Sequence, residues 1–252
     1  MISVLTPSYN SSTTLERCIA SVLDQNVNDF EHIVVDGGSS DDTLRILKKY
    51  EHVKWISEPD RGQSDAMNKA FSMSSGDIIV FLNADDILYP CTFTRVLDSF
   101  ASYPKANIVV GGLRIVYDFR TADCFPTLSF KSLLDEDGIW PRNPVSYFYR
   151  RSLQEAIGPF PISLTYAMDY WWLLHSLETA KPVYRNELFG CFFNLTGNKS
   201  TTAGSASEKR RVFFRFLFSK RGMRFLPYRI QSILSVHYVK SRYWKWLRSR
   251  QS

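Results

Sequence analysis

Ile78-Ile79-Val80-Phe81-Leu82, running straight into Asn83-Ala84-Asp85-Asp86, is the stretch that decides the fold. Five consecutive apolar residues make a strand buried on both faces, as in a parallel sheet. The run is far too short to cross a bilayer. It ends on two acids, and carboxylates at the tip of a buried strand are costly unless a cation or hydrogen bonds hold them.

Three shorter strand signals lie upstream. Ile2 to Leu5 is an apolar run ending at Thr6-Pro7, His32 to Val35 is closed by Asp36-Gly37-Gly38-Ser39, and Val53 to Ile56 is strand-like. Helix signals separate them. Leu15, Cys18, Ile19, Val22 and Leu23 recur at helical spacing, with Thr13 and Glu16 at capping-box spacing in front. A helix is expected over 41–49 with Leu44 and Leu47 inward, and another with Ala66, Met67, Ala70 and Phe71 as its inner stripe. Strand and helix in strict turn predict an α/β fold with a mostly parallel sheet flanked by helices. Ligands in such sheets lie beyond the carboxyl ends of the strands. Four polar clusters sit there: Pro7-Ser8-Tyr9-Asn10, Asp36-Gly37-Gly38, Pro59-Asp60-Arg61 and Asn83 to Asp86.

Residues 104–200 are less regular. Ile108 to Val110 and Leu113 to Tyr117 suggest strands joined by a hairpin through Gly111-Gly112. Residues 139–151 read as a loop and a strand, and Tyr166 to Leu177 as a helix. Val183 to Leu195 reads as two strands, and Thr196 to Ser207 as a polar, flexible loop.

Each candidate residue has a chemical and a plain reading. Asp85 and Asp86 suit Mg²⁺ or Mn²⁺, which take one or two carboxylates plus substrate phosphates; alternatively they cap a following helix. Asp36 can accept a base or ribose proton, or make an Asp-Gly-Gly turn. Arg61 offers a planar donor fork for a phosphate or base. Asp65, Asn68 and Lys69 share the helix face opposite the apolar stripe, which is either functional or merely solvated. Asp169, amid Tyr166-Ala167-Met168 and Tyr170-Trp171-Trp172, should have a raised pKa suited to a general base; otherwise it is a cap or a solvated helix residue. Trp171 and Trp172 read as core.

Composition narrows the class. The 252 residues are 44% hydrophobic and 22% charged, ordinary globular values. Cys18, Cys91, Cys124 and Cys191 show neither zinc-site spacing nor disulfide density, so a reduced, intracellular chain is expected. MISVLTPSYN lacks the pattern of a signal peptide, which predicts a cytoplasmic body. Residues 209–252 hold 13 Lys or Arg and no acid, leaving a net −7 on residues 1–208 out of the total of +6. An acidic body is not the footprint of a nucleic-acid enzyme, so no nucleic-acid partner is expected.

At these motifs the chain strongly resembles the large family of inverting, GT-A-fold glycosyltransferases known as family 2. The matching segments are Val4 to Asn10, Ile33 to Asp41, Asp60 to Lys69 and Gly76 to Asp86, with Pro144 to Arg151 and Tyr166 to Leu174 resembling the acceptor-side half. The likeness covers about 1–200. It implies a GT-A domain over 1–205, with a nucleotide-sugar-binding half (1–103) and an acceptor-side half (104–205), followed by a basic aromatic helical tail over 206–252. It also implies that Pro7, Tyr9, Asn10 and Asp36 hold base and ribose, that Arg61 and Asp65 help bind the nucleotide, and that Asn83, Ala84 and Asp85 occupy the Asp-x-Asp position. Asp85 would then be the ligand of Mn²⁺ or Mg²⁺ and Asp169 the catalytic base. The implied donor is a nucleoside-diphosphate sugar, UDP type favoured, and the implied acceptor a saccharide or lipid-linked saccharide, as in polysaccharide or glycolipid biosynthesis. Three positions depart from the pattern. Asn83 replaces the first acid of Asp-x-Asp, Met168 stands where many relatives have a second acid, and no His occurs in Gly197-Asn198-Lys199-Ser200-Thr201.

The tail interleaves its cations with Phe213, Phe214, Phe216, Phe218, Phe225, Tyr238, Tyr243, Trp244 and Trp246. Such a segment either lies in an anionic membrane interface, making the protein peripheral on the inner face of the membrane, or packs as ordinary helices. A nucleotidyltransferase is a rival reading but would need a basic residue in the first phosphate loop. A dinucleotide-dependent oxidoreductase lacks its G-x-G-x-x-G. A non-catalytic, membrane-associated nucleotide-binding protein would leave the converging acids idle.

Overall fold

The computed structural model describes residues 1–134, 139–195, 203–217 and 219. Four strands form its parallel half: β1 (Ile2–Ser8), β2 (Phe30–Asp36), β3 (Val53–Ser57) and β4 (Ile78–Phe81). They stand in the order β3-β2-β1-β4, with Leu5 paired to Ile33 on one side and to Phe81 on the other. Alternation along β4 sends Ile79 and Phe81 into one core and Ile78, Val80 and Leu82 into another, the two-sided burial expected of the opening run.

Helices α1 (Leu15–Leu23), α2 (Thr43–Leu47) and α3 (Gln63–Met73) cross over between these strands. Leu15, Cys18, Ile19 and Val22 of α1 are buried, but Leu23 is 44% exposed and lies off the stripe. The expected capping box does not form. Thr14 is the N-cap without a side-chain bond, and Glu16 instead meets Lys49 at 3.1 Å. Helix α2 is shorter than expected, with Ile46 and Leu47 inward and Leu44 only partly covered.

The second half departs further from the sequence reading. Asp85 and Asp86 precede not a helix but the short strand β5 (Ile87–Leu88), and α4 (Thr92–Ser102) follows only after Cys91, so neither acid is a helix cap. Gly111-Gly112 is no turn. One strand, β6 (Ile108–Val116), runs through it, and the hairpin closes further on, onto β7 (Thr121–Cys124). The glycines serve close packing: a Cβ on Gly111 would lie 2.5 Å from the Phe189 ring, and one on Gly112 2.6 Å from the Phe125 ring.

Beyond β7 come α5 (Phe130–Leu134), a 3-10 turn at Pro144–Ser146, β8 (Tyr147–Arg150), α6 (Arg151–Ile157) and α7 (Met168–Ser176). The two strands expected over Val183 to Leu195 are one, β9 (Pro182–Phe193), which absorbs its bend in register shifts against β6 near Gly112. The sheet therefore continues β4-β8-β6-β9-β5, with β8 antiparallel to β4 and β6, and β5 antiparallel to β9. It is a mixed sheet, parallel through its first four strands. The expected loop over Thr196 to Ser207 lies outside the described residues as far as 202, and its remainder is already helical: α8 (Ala203–Leu217) runs unbroken past residue 205. Val212, Phe216 and Leu217 of α8 join the core beside α7. The rest of the basic tail, bearing Phe225, Tyr238, Tyr243, Trp244 and Trp246, lies outside the described residues.

Candidate active site

The carboxyl ends of β1 and β4 and the start of α7 converge on a cleft of about 890 Å³. Of the site residues the resemblance implies, Pro7, Tyr9, Asn10, Asn83, Ala84, Asp85 and Asp169 line it, with Ser8, Gly37 and Asp60 of the same polar clusters. Asp36, Arg61 and Asp65 are not among its lining residues, although Gly37, Asp60 and Gly62 beside them are.

Strand β1 delivers the first wall. Its last residues lead to Tyr9, 64% exposed at the rim, and to Asn10, whose φ of 48° turns the chain sharply. The Asn10 N–H donates to Ser39 Oγ at 2.7 Å, while its side-chain oxygen accepts from the Ser40 N–H at 2.9 Å. The β1 and β2 loops are thereby tied together.

Asp36 is fully buried and its carboxylate is consumed by the turn. It accepts from the N–H groups of Gly38 (3.1 Å) and Ser39 (2.9 Å), from the Ser39 hydroxyl, and from Ser57 Oγ (2.7 Å). Three of these donors meet Oδ2 and one meets Oδ1, so the carboxylate braces the turn at Gly37, which does line the cleft. Asp65 likewise accepts from the Arg61 N–H (3.1 Å) and guanidinium (3.2 Å), and Arg61 holds its pKa below the ordinary carboxylate value. The Arg61 side chain is 70% exposed. The helix face bearing Asp65, Asn68 and Lys69 is not merely solvated: Asn68 clamps the backbone of Phe160, donating at 2.8 Å and accepting at 2.8 Å.

The segment after β4 is wired tightly. Asn83 donates to Asp86 at 3.0 Å and accepts from Gln63 at 3.0 Å, so its amide is committed to the scaffold. Asp86 is fully buried and also accepts from Asn143 (2.7 Å) and from the Phe193 N–H (3.2 Å). Burial, then the neighbouring Asp85 charge, pushes its pKa above the usual carboxylate range. Asp85 is also raised by burial, opposed by Arg17. The Arg17 guanidinium donates to the Asp85 carbonyl at 2.7 Å and lies 3.9 Å over the Phe193 ring. This wiring turns Asp86 into structure and leaves Asp85 to face the cleft.

Asp169 sits in the first turn of α7. Its Oδ1 is buried with no hydrogen-bond partner. Burial raises its pKa from 3.8 to about 7, opposed by the Lys209 charge. Trp172, on the same helix, is core as expected, packed against Tyr149 with ring centroids 4.4 Å apart. A proton acceptor with no donor of its own, in a walled cleft, is equipped for general-base chemistry near neutral pH.

Sequence reasoning missed Gln63, Arg142 and Asn143, which also line the cleft. The Asn143-Pro144 pair was the available signal, since Asn before Pro favours a turn and a cap. Its side chain does accept from the Val145 N–H at 2.8 Å. Nothing local marks its second bond, to Asp86. Among the described residues there is no group of three or more His, Cys, Asp or Glu side chains that could hold a metal. One hard-oxygen ligand at Asp85 nonetheless fits a Mg²⁺- or Mn²⁺-type ion completed by phosphates and water.

The family model described as Glycosyl transferase family 2 matches residues 3–158, so Asp169 and α8 lie beyond it. A PGL/p-HBAD biosynthesis glycosyltransferase of Mycobacterium bovis is 31% identical over 179 residues, covering 68% of this chain and 67% of the relative. Among solved structures, residues 1–349 of S. aureus TarS in complex with UDP-GlcNAc superpose with a TM-score of 0.68 at 21% identity, covering 87% of this chain and 67% of that one. The chain spans 40% of the longer TarS structure. A mannosyltransferase from Pyrobaculum calidifontis, in complex with GDP-Man and Mn²⁺, gives a TM-score of 0.58 at 18% identity over 83% of this chain and 60% of that one. Both structural likenesses speak to the GT-A fold.

Proposed function

Since the chain belongs to glycosyl transferase family 2 and is a glycosyltransferase, we propose that it moves a sugar from a nucleoside-diphosphate donor to an acceptor hydroxyl with inversion at the anomeric carbon. The observation that carries this reading is the buried, partnerless Oδ1 of Asp169 in the same cleft as Asp85 and the Pro7-to-Asn10 loop. Asp169 takes the proton of the acceptor hydroxyl. The freed oxygen attacks the anomeric carbon from the face opposite the diphosphate, which leaves with its bonding electron pair. Single displacement inverts the configuration.

Pro7, Tyr9 and Asn10 form the wall for the nucleotide, with Asn83 and Ala84 beside the ribose and diphosphate. Asp36, Arg61 and Asp65 support that wall. Asp85 would hold a divalent ion, Mn²⁺ or Mg²⁺, which supplies Lewis-acid neutralisation of the departing diphosphate when bound. Arg17 fixes the Asp85 backbone for that task. A UDP-sugar is favoured because the TarS neighbour was solved with UDP-GlcNAc. A biosynthetic role, in polysaccharide or glycolipid assembly, is supported by relatives named for PGL/p-HBAD biosynthesis and as a chondroitin synthase.

No helix among the described residues is long and apolar enough to cross a membrane. We place the protein in the cytoplasm, peripheral on anionic lipid through 209–252, where α8 already exposes Arg210, Arg211 and Arg215 around Phe214, itself 55% exposed. The test of function is release of free nucleoside diphosphate from a panel of UDP-, GDP- and dTDP-sugars. Pyrophosphate release from a nucleoside triphosphate and sugar phosphate would instead make the protein a nucleotidyltransferase.

A further inference from the structure

Helix α7 carries the proposed base but cannot cap itself. Its N-cap residue is Ala167, with no side chain to accept the N–H groups that a helix start leaves unpaired. A carboxylate from α8, some forty residues later, instead bonds the N-cap amide and the two amides before it. Glu208, only 4% exposed, accepts from the N–H of Thr165 at 3.2 Å through Oε1, and from Tyr166 at 2.6 Å and Ala167 at 2.8 Å through Oε2. A carboxylate at a helix N-terminus also complements the helix dipole. Thr165 and Tyr166 line the cleft, so these bonds hold the cleft wall itself, and Asp169 follows two residues after the last bonded amide.

The next residue of α8 points to the same place. Lys209 lies 5.3 Å over the Trp140 ring, whose centroid is 5.5 Å from that of Tyr170, the residue after Asp169. The helix is fixed underneath by Val212, Phe216 and Leu217 in the core and by Phe216 against His175, ring centroids 5.2 Å apart.

We propose that α8 belongs to the catalytic apparatus: Glu208 is a positioning residue that holds the 165–167 loop, and with it Asp169, in register with the cleft. The inference rests on Asp169 being the base. Misplacing a reacting group by about 1 Å costs on the order of a hundredfold in rate. Loss of the Glu208 carboxylate should therefore act on turnover rather than on nucleotide binding, which we assign to the Pro7-to-Asn10 loop.

The test uses the full chain and the sugar donor that the wild type turns over best. Glu208→Ala should lower kcat by roughly 10- to 100-fold, leave UDP affinity within about threefold, and speed amide hydrogen exchange at 165–167 by roughly tenfold or more. Glu208→Gln should fall between, because one of its two terminal groups donates rather than accepts.

Unchanged kcat and exchange in Glu208→Ala, with Asp169→Asn inactive, would overturn the positioning role and spare the base. An active Asp169→Asn would remove the base and the inference with it. Should the alanine variant not fold, the glutamine variant decides: wild-type kcat and exchange there overturn the proposal.

Discussion

Replacing Asp169 by Asn removes one ionisable group from a site where ionisation is costly, and two measurements should register it. Burial raises the Asp169 pKa from 3.8 to about 7. An acid whose folded pKa exceeds its unfolded value keeps its proton in the folded state over that window while the unfolded chain has lost it. Wild-type stability therefore falls as pH rises from about 4 to about 7 and is level above, by about 1.4 kcal/mol per unit and at most about 4 kcal/mol in all. The Asn variant lacks this loss. Unfolding free energies from urea should agree near pH 3 and separate by about 2–4 kcal/mol at pH 8.5, the variant being the more stable. Activity should move the opposite way. About a tenth of the wild type is ionised at pH 6 and about nine-tenths at pH 8, so kcat should climb roughly tenfold through neutrality. The Asn variant should lose about 10²- to 10⁴-fold at pH 7.5. A stability difference that is flat with pH would refute the burial argument. Turnover above a tenth of wild type would refute the base.

Asp85→Ala should weaken Mn²⁺-dependent binding of UDP at least tenfold in calorimetric titration, while leaving the weak metal-free binding unchanged; an unaltered metal titration removes Asp85 as ligand. Asp36→Ala strips the acceptor from four donors and should cost about 3 kcal/mol in urea denaturation. Lost nucleotide affinity with full stability would instead restore Asp36 to direct contact. Gly111→Ala drives a methyl into the Phe189 ring and should cost about 1–3 kcal/mol, read as a fall in thermal midpoint. The full chain should sediment with vesicles rich in anionic lipid and be released by salt, whereas a variant with Arg210, Arg211 and Arg215 changed to Gln should bind more weakly; equal non-binding by both ends the membrane reading.

Much of the parallel half was legible because local pattern and global environment agree there. A run such as Ile78 to Leu82 has one stable solution, burial on both faces, and the polar clusters that follow each strand must then share one edge. The second half was less legible because its signals depend on distant partners. Gly111-Gly112 looks like a turn locally, and only Phe189 and Phe125 explain why the strand needs two residues without side chains. The Val183-to-Leu195 stretch looks like two strands until β6 carries it across its register shifts as one.

By itself the sequence determined the strand-helix alternation, the edge on which chemistry gathers, and the residue types gathered there. The tertiary structure alone decided how those residues divide their work. Asp36, Asp65, Asp85, Asp86 and Asp169 are chemically near-identical acids, yet three spend their oxygens on neighbouring donors while Asp85 and Asp169 face the cleft. The physical reason is that a carboxylate's role follows from which donors reach it and how much water remains, and both depend on chain segments as far off as Asn143, Phe193 and Lys209.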